Sequence, residues 1–350
     1  MLMTLTALIL SLDTYAQEAK VSLLDDVSAP IEKNKAPSEK SAEDDELFNF
    51  LGIKIPNFIS SSKEQGVSLF SLQQKAESGD VKAQLQLGYT YLYGSDKIEK
   101  DYQKAFHYYS LAAKQEDKIG LNNLGSMYYN GIGVKRDTKI AALLFAKATE
   151  KGNTDAAANL GIMYITGNGI EKNVLIGLNY LEQAAEQNNN LAQYILGCAY
   201  YYGHHREINH PKAAQYIKNA ADAGFDEAQL LLATIYMQGL GFTQNYANAV
   251  KYLHQSASQG NISAMIQLAD IYISGNKYPL NISNAHVFYN LAAARGVASA
   301  GEKRKLIESK MKIEEVLNAQ NTANNFKEKR STFTNYVHST IGKNICNNLR

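Results

Sequence analysis

The sequence predicts an all-α fold, a right-handed αα-superhelix of six full repeats of about 36 residues with capping helices at both ends. Three observations predict it. A Leu-Gly or Leu-Ala pair recurs at nearly constant spacing, a Tyr stands three residues after each pair, and a Gly stands six residues after it. The pairs begin at Leu87, Leu124, Leu160, Leu196, Leu232 and Leu268, 37 residues apart once and 36 residues apart thereafter.

The first half of each repeat predicts a helix, helix A. Small and large apolar residues at i, i+3 and i+4 spacing form one apolar face, on which Gly or Ala permits close packing and Tyr fills the gap beside it. The Gly of each repeat ends helix A, where a left-handed residue is needed. These glycines are Gly94, Gly131, Gly167, Gly203, Gly239 and Gly275.

The second half of each repeat predicts helix B. Its N-cap column holds only Asp and Asn, at Asp101, Asp137, Asn173, Asn209, Asn245 and Asn281. Helix A has a similar column at Asp80, Asp117, Asn153, Asn189 and Asn261. Because one helical hairpin cannot bury its own apolar face, consecutive repeats must stack. Ten of the 23 Tyr fall in the two core columns, so we interpret them as structural residues.

Both ends of the array differ from its middle. Residues 67–78 supply a single helix before the first full pair, and Arg304-Lys305 replaces the Leu-Gly pair after the last one. The run from Lys310 to Gln320 predicts a long final helix, and we expect these polar terminal helices to cover the core. We assign residues 65–327 to the solenoid and residues 328–350 to a C-terminal tail.

The N-terminal region predicts export. Residues 1–16 have the apolar character and length of a signal peptide, although no basic residue precedes the apolar run, and an ordinary apolar N-terminus is the alternative. Residues 17–64 predict a mostly disordered linker rich in acidic residues. Its short apolar segment, residues 47–59, is expected to dock on the solenoid or on a partner. We therefore expect a periplasmic or secreted protein.

Composition excludes several classes of function. The net charge of +1 argues against nucleic-acid binding. No other segment predicts a membrane span, and we expect a monomer. The two cysteines, Cys198 and Cys346, match neither a disulfide framework nor a zinc site, and we interpret Cys198 as a buried thiol and Cys346 as a tail thiol. The basic tail residues Lys327, Lys329 and Arg330 predict a solvated helix face, the alternative being contact with anionic lipid, RNA or an acidic partner.

These columns resemble the Sel-1-like repeat, a relative of the tetratricopeptide repeat. The match is carried by the run from Leu124 to Val134 with Asp137, Ala141 and Ala148, and the resemblance covers residues 66–325. It implies an adaptor that binds proteins. Similar bacterial proteins act at the envelope, modulate periplasmic sensors, or are exported virulence factors that bind host factors during entry and vacuole trafficking. Penicillin binding, attributed to relatives with a disulfide in each repeat, is not expected because such paired cysteines are missing.

No catalytic arrangement and no cofactor motif stand out, so we expect a protein-binding scaffold exported by a bacterium and not an enzyme. The alternatives are a periplasmic regulator of an envelope signalling or cell-wall system, and a weak cell-wall hydrolase. The loop with His204, His205 and His210 replaces the usual Gly-x-Gly turn of the fourth repeat. Three histidines within seven residues suit a metal ion, but we interpret the loop as solvated and predict no metal site.

The expected partner site is the concave face, which helix A lines in stacked helix pairs. By analogy with tetratricopeptide relatives, its exposed positions lie near the Leu-Gly pair of each repeat. Rigid Tyr rings and Asn amides suit peptide recognition, whereas the alternative is an ordinary solvated surface. The predicted partner-binding residues are Tyr89, Tyr93, Asn122, Ser126, Tyr129, Asn130, Tyr194, Tyr201 and Tyr202.

Overall fold

The computed structural model describes residues 69–95, 98–331, 334 and 349, and these residues form an all-α solenoid. The expected signal peptide, the linker with its segment 47–59, and most of the tail after residue 331 lie outside the described residues. Three of the described helices lie outside the predicted pairs: α1 (Leu69–Glu77) at the start, and α14 (Ala298–Glu308) and α15 (Ile313–Asn324) at the end. The one described β-bridge joins Ser95 and Ile98.

Twelve helices of 13 residues each form the six predicted pairs. The A helices are α2 (Val81–Tyr93), α4 (Lys118–Asn130), α6 (Thr154–Thr166), α8 (Asn190–Tyr202), α10 (Asp226–Gln238) and α12 (Ile262–Ser274). The B helices are α3 (Tyr102–Lys114), α5 (Thr138–Glu150), α7 (Val174–Glu186), α9 (His210–Asp222), α11 (Tyr246–Ser258) and α13 (Ile282–Ala294). Helix α14 (Ala298–Glu308) follows them.

The predicted capping residues lie at the two ends of these helices. The side chain of Asp117 accepts a hydrogen bond from the backbone amide of Gly120 at 2.8 Å, and Asn209 does the same for Lys212 at 3.0 Å. At the other end of helix A, Gly131 has a φ of 73° in the left-handed region. The repeat boundaries were therefore predictable because these two kinds of cap depend on neighbouring residues.

Two glycines are required by close approach of the backbone. A Cβ added at Gly177 in helix B would lie 2.5 Å from the carbonyl oxygen of Gly161 in helix A, which confirms that the small column permits close packing of the pair. Gly133, with a φ of 65°, follows helix A, and its Cβ would lie 2.3 Å from the carbonyl oxygen of Tyr102. The turn after one helix A therefore packs against the start of the preceding helix B.

The chain forms two compact units, residues 1–180 and residues 181–350, with the boundary inside α7. In the first unit the tyrosine columns stack as core residues: Tyr91 lies parallel to Tyr108 with ring centroids 5.8 Å apart, and Tyr164 pairs with Tyr180 at 5.7 Å. Burial raises the pKa of Tyr180 to about 12, so its hydroxyl stays protonated. These contacts confirm the structural role predicted for the columns.

The second unit repeats this packing and ends in the two C-terminal helices. Tyr236 stacks on Tyr252 with ring centroids 6.0 Å apart, as in the first unit. Helices α14 and α15 both pack on α13, which confirms that the array is closed by helices outside the repeat pattern. Their outer surface is less polar than expected, since Leu306, Ile313 and Leu317 are exposed.

The interpretation of Cys198 as a thiol is wrong, because Cys198 is disulfide-bonded. It lies in α8 directly after Gly197 and is fully buried. The second cysteine of the sequence, Cys346, is outside the described residues. Spacing rules recognise dense disulfide frameworks and zinc sites. A single disulfide depends on how the chain folds, so the spacing of two cysteines in the sequence does not predict it.

Candidate functional site

In the first unit, neighbouring side chains hold Tyr129 in place near the end of α4. The hydroxyl of Tyr129 accepts a hydrogen bond from Asn168 Nδ2 at 2.8 Å, and the guanidinium of Arg136 lies 5.9 Å from its ring centroid. Arg136 also donates from Nε to the Tyr129 carbonyl oxygen at 3.0 Å. Asn130, directly after Tyr129, is exposed. We call Tyr129, Asn130, Arg136 and Asn168 the Tyr129 patch.

The Tyr129 patch combines groups that recognise peptides. It offers a half-buried aromatic ring, an exposed amide and an exposed guanidinium. A ring already fixed by hydrogen bonds loses little conformational entropy when a partner binds. Arginine and amide groups bind carboxylates and peptide carbonyls. The patch is therefore suited to non-covalent binding of a polypeptide.

The second unit has a corresponding aromatic cluster at the end of α8. Tyr201 and Tyr202 pack edge to face with ring centroids 4.8 Å apart, and the Tyr201 hydroxyl donates to Gln238 Oε1 at 3.0 Å. His204 stacks on Tyr202, and His210 packs on Tyr201. Burial raises the pKa of Tyr201, while 46% of Tyr202 remains exposed. We call Tyr201, Tyr202, His204 and His210 the Tyr201 patch.

Tyr89 and Tyr93 lie together in α2, with ring centroids 4.4 Å apart and both half-buried. Burial raises the pKa of both hydroxyls, and for Tyr93 the neighbouring Tyr89 adds to this. Both phenols are therefore protonated at neutral pH and present a neutral aromatic surface.

Three predicted partner-binding residues are not exposed. Asn122 is 1% exposed, and its Oδ1 accepts from Asn159 Nδ2 in the next helix A at 3.2 Å. Ser126 is buried in the same helix. Tyr194 is 3% exposed and packs edge to face on Phe225 at 4.6 Å. The analogy placed Asn122 and Tyr194 on an open surface, whereas their column faces the neighbouring helix A.

The burial of Tyr194 also determines its ionisation. Burial raises the pKa of Tyr194 well above its ordinary value of 10.0, and the Glu227 carboxylate raises it further. The protonated hydroxyl donates to Glu227 Oε2 at 3.2 Å. Tyr194 therefore links α8 to α10 inside the second unit and is part of the packing.

The histidine loop does not assemble as a ligand set. In the part of the chain that the structure describes, no three His, Cys, Asp or Glu side chains gather where they could hold a metal ion. His204 and His210 pack instead on the two rings of the Tyr201 patch, and His205 adopts a φ of 54° in the turn. Among the described helices, none is both long and apolar enough to cross a bilayer.

The sequence prediction missed the contact made by the C-terminal tail. Residues 326–331 after α15 form no helix, which corrects the helix face expected for Lys327, Lys329 and Arg330. The Lys329 amide donates to the Ser258 carbonyl oxygen at 2.9 Å, and Arg295 donates from Nε to Glu328 Oε1 at 3.1 Å. The tail therefore runs back along the turns between repeats of the second unit.

Two hydroxyls of the tail bind the start of α10. Ser331 Oγ donates to the Gly224 carbonyl oxygen at 2.6 Å. Thr334 Oγ1 accepts from the Asp226 amide at 3.0 Å and lies 2.7 Å from Gln259 Oε1. Phe225 is the N-cap residue here, and its ring carries no acceptor, in contrast to the Asp or Asn of the other repeats. This break in the N-cap column was visible in the sequence and marks the docking position.

A profile of the Sel1 repeat family matches six segments, which together make up more than half of the chain: residues 81–117, 119–153, 154–189, 190–225, 226–261 and 262–297. The chain belongs to the Sel1 repeat family. Sel1 repeats mediate protein–protein interactions, and the family is generally a non-catalytic scaffold. The matched segments start at the first or second residue of each helix A, so family and fold agree on the repeat unit.

Solved structures show the same architecture. A Sel1 repeat protein from Oxalobacter formigenes is 28% identical, with a TM-score of 0.54, over 70% of this chain and 98% of that one. A protective antigen present in uropathogenic Escherichia coli strains, which has an SLR fold, is 25% identical, with a TM-score of 0.52, over 77% of this chain and 65% of that one.

Curated relatives share shorter stretches. Human protein sel-1 homolog 2 is 34% identical over 98 residues, which are 28% of this chain and 14% of the human protein. The ERAD-associated E3 ubiquitin-protein ligase component HRD3B of Arabidopsis thaliana is 44% identical over 55 residues, 16% of this chain and 9% of that protein. The chain thus spans a small fraction of the length of either relative.

Proposed function

We propose that this Sel1 repeat protein is an exported, non-catalytic scaffold that binds a protein or peptide partner through its helix A surface, with the Tyr129 patch as the main contact. The observation that carries the proposal is the fixed geometry of Tyr129, whose hydroxyl and carbonyl are both held by neighbouring side chains. Such a ring offers contact area at low entropic cost. The Tyr201 patch supplies a second aromatic contact in the other unit.

Two observations support export. Residues 1–16 resemble a signal peptide in composition, and Cys198 is disulfide-bonded. Structural disulfides persist in the periplasm and outside the cell and are rare in the bacterial cytosol. A host factor met during entry or vacuole trafficking fits this setting, and the relative described as a protective antigen of uropathogenic strains favours it. The alternative in the same compartment is regulation of an envelope signalling or cell-wall system.

Capture experiments with the full chain test the partner surface. We expect Tyr129→Ala combined with Tyr201→Ala to reduce partner recovery at least about tenfold, the range of a binding hot spot. The matched control is Leu175→Ala, which removes a side chain 55% exposed on helix B. Circular dichroism must show unchanged helix content in both variants. Equal recovery with the double variant and wild type would exclude the two patches as the contact.

A further inference from the structure

We propose that the C-terminal segment, whose described residues 328–331 and 334 lie on the inter-repeat turns of the second unit, is an intramolecular strap held by a disulfide between Cys198 and Cys346. The occupant of this surface is the chain's own C-terminal segment. The inference concerns the second unit alone and holds whatever partner the protein binds.

The first support is the cysteine inventory. The sequence contains two cysteines, and Cys198 is disulfide-bonded, so within one chain Cys346 is the partner available to it. Cys198 is fully buried in α8. A fully buried sulfur is poorly placed to join a second molecule, which favours a link inside the chain.

The second support is the course of the strap. Its described residues meet successive turns in reverse order along the chain: Glu328 lies at Arg295, Lys329 at Ser258, and Ser331 at Gly224. The direction leads from the last repeat towards the fourth, which contains Cys198. Leu349, close to Cys346 in sequence, is fully buried. The C-terminal end of the strap is therefore packed on protein.

The third support is the close contact between the strap and two glycine turns that follow helix B. Glycines with positive φ end helix B in most repeats, and a Cβ added at Gly152 or Gly296 would meet nothing within 4 Å. A Cβ at Gly224 would lie 3.1 Å from Ser331 Cβ, and one at Gly260 would lie 2.6 Å from a Glu328 carboxylate oxygen. The strap thus lies directly on two of these turns.

The fourth support is chemical complementarity at α10. This helix A has Phe225 where the five others have an Asp or Asn that accepts a backbone amide. The fully buried hydroxyl of Thr334 accepts from the Asp226 amide. The same hydroxyl lies within hydrogen-bond distance of Gln259 Oε1 and the Gly224 carbonyl oxygen. A strap residue therefore binds the first amide of a helix that has no capping side chain directly before it.

Closure of the strap is an ordinary thiol–disulfide exchange with a disulfide-donating oxidoreductase of an oxidising compartment. One cysteine thiolate attacks the donor disulfide and expels one donor thiolate, which leaves a mixed disulfide. The second cysteine thiolate of the protein attacks the sulfur of the first cysteine in this mixed disulfide and expels the other donor thiolate. The two cysteines lose two protons and two electrons, and the donor is reduced to two thiols.

The test is peptide mapping of the full chain under non-reducing conditions, after free thiols are blocked with N-ethylmaleimide. We expect a peptide pair that joins Cys198 to Cys346 and separates on reduction. An alkylated Cys198 peptide, or a Cys198–Cys198 link between two chains, would overturn the proposal.

Hydrogen exchange in Cys346→Ser tests the docking separately. Without the covalent link the strap opens more often, so the Asp226 amide should exchange about tenfold faster, as expected for partial loss of an N-cap. The start of α4 in the first unit, whose cap Asp117 is local and is not contacted by the described strap residues, should be unchanged. Unchanged exchange at Asp226 would contradict a strap held by the disulfide. If this variant does not fold, the peptide map of the wild-type protein still decides the proposal.

Discussion

Thr334 caps a helix that begins 108 residues before it in the chain: its Oγ1 accepts a hydrogen bond from the Asp226 amide at 3.0 Å. The other described helix A N-termini from α2 to α12 use an Asp or Asn directly before the helix. Because Phe225 occupies that position before α10, the fifth repeat depends on the tail for a group that its neighbours carry themselves.

Replacement of Thr334 by Val should therefore destabilise the protein. The buried Asp226 amide would lose its acceptor, and Gln259 Oε1 would lose the hydroxyl that lies within hydrogen-bond distance of it. We expect the free energy of unfolding to fall by about 1 to 3 kcal/mol. Urea denaturation followed by circular dichroism measures it. Thr334→Ser keeps the hydroxyl and should recover most of the loss. Equal stability of the Val variant and wild type would show that Thr334 is not a cap.

The close approach at Gly133 predicts a larger effect in the first unit. Gly133→Ala would force a Cβ to 2.3 Å from the Tyr102 carbonyl oxygen in addition to left-handed strain, and we expect a loss of roughly 3 kcal/mol or more. Gly152→Ala is the matched control, since its φ is 77° and its Cβ meets nothing within 4 Å. It should cost about 1 to 2 kcal/mol through backbone strain alone. Similar midpoints of thermal unfolding for both variants would contradict the packing described for this turn.

Glu116 should titrate at unusually low pH. Hydrogen bonds from Lys151 and Lys147, at 2.5 Å and 2.9 Å, lower its pKa from 4.5 to about 2. Because the folded pKa lies below the unfolded one, the stabilisation is present above pH 4.5 and is lost as pH falls through about 2.

NMR titration of the Glu116 side-chain carboxyl carbon measures this directly. Lys147→Gln combined with Lys151→Gln should return the midpoint towards 4.5, and added salt should move it in the same direction because the pair is exposed. A midpoint near 4.5 in the wild-type protein at low salt would mean that the two lysines do not hold Glu116 in solution.

The repeats could be predicted from the sequence because their determinants are local. Asp117 and Gly131 set the two ends of α4 through hydrogen bonds within a few residues, and the same pattern recurs in each pair. The stacking of consecutive repeats was predictable because a single helical hairpin leaves its apolar face exposed to solvent. The Tyr columns were assigned to the core for the same reason, and the Tyr91–Tyr108 stack agrees.

The candidate surface was harder to predict because exposure depends on the next repeat. Asn122 and Tyr194 occupy the same column, and both contact residues of the following helix A that a single-repeat analogy does not represent. Tyr129 and Tyr202 lie at the end of helix A, beyond that contact, and stay accessible in part. The docking of Thr334 was not predictable from periodicity, although Phe225 was the irregular residue that indicated it.

Site-specific photo-crosslinking tests the central claim, binding of a partner at the helix A surface, most directly. A photoreactive phenylalanine analogue placed at Asn130 lies beside Tyr129, whereas the same analogue at Leu175 lies on exposed helix B of the same unit. We predict that irradiation of the full-length protein in its native compartment gives one discrete protein adduct from position 130 and none from position 175. Adducts from position 175 alone would contradict the proposed scaffold surface.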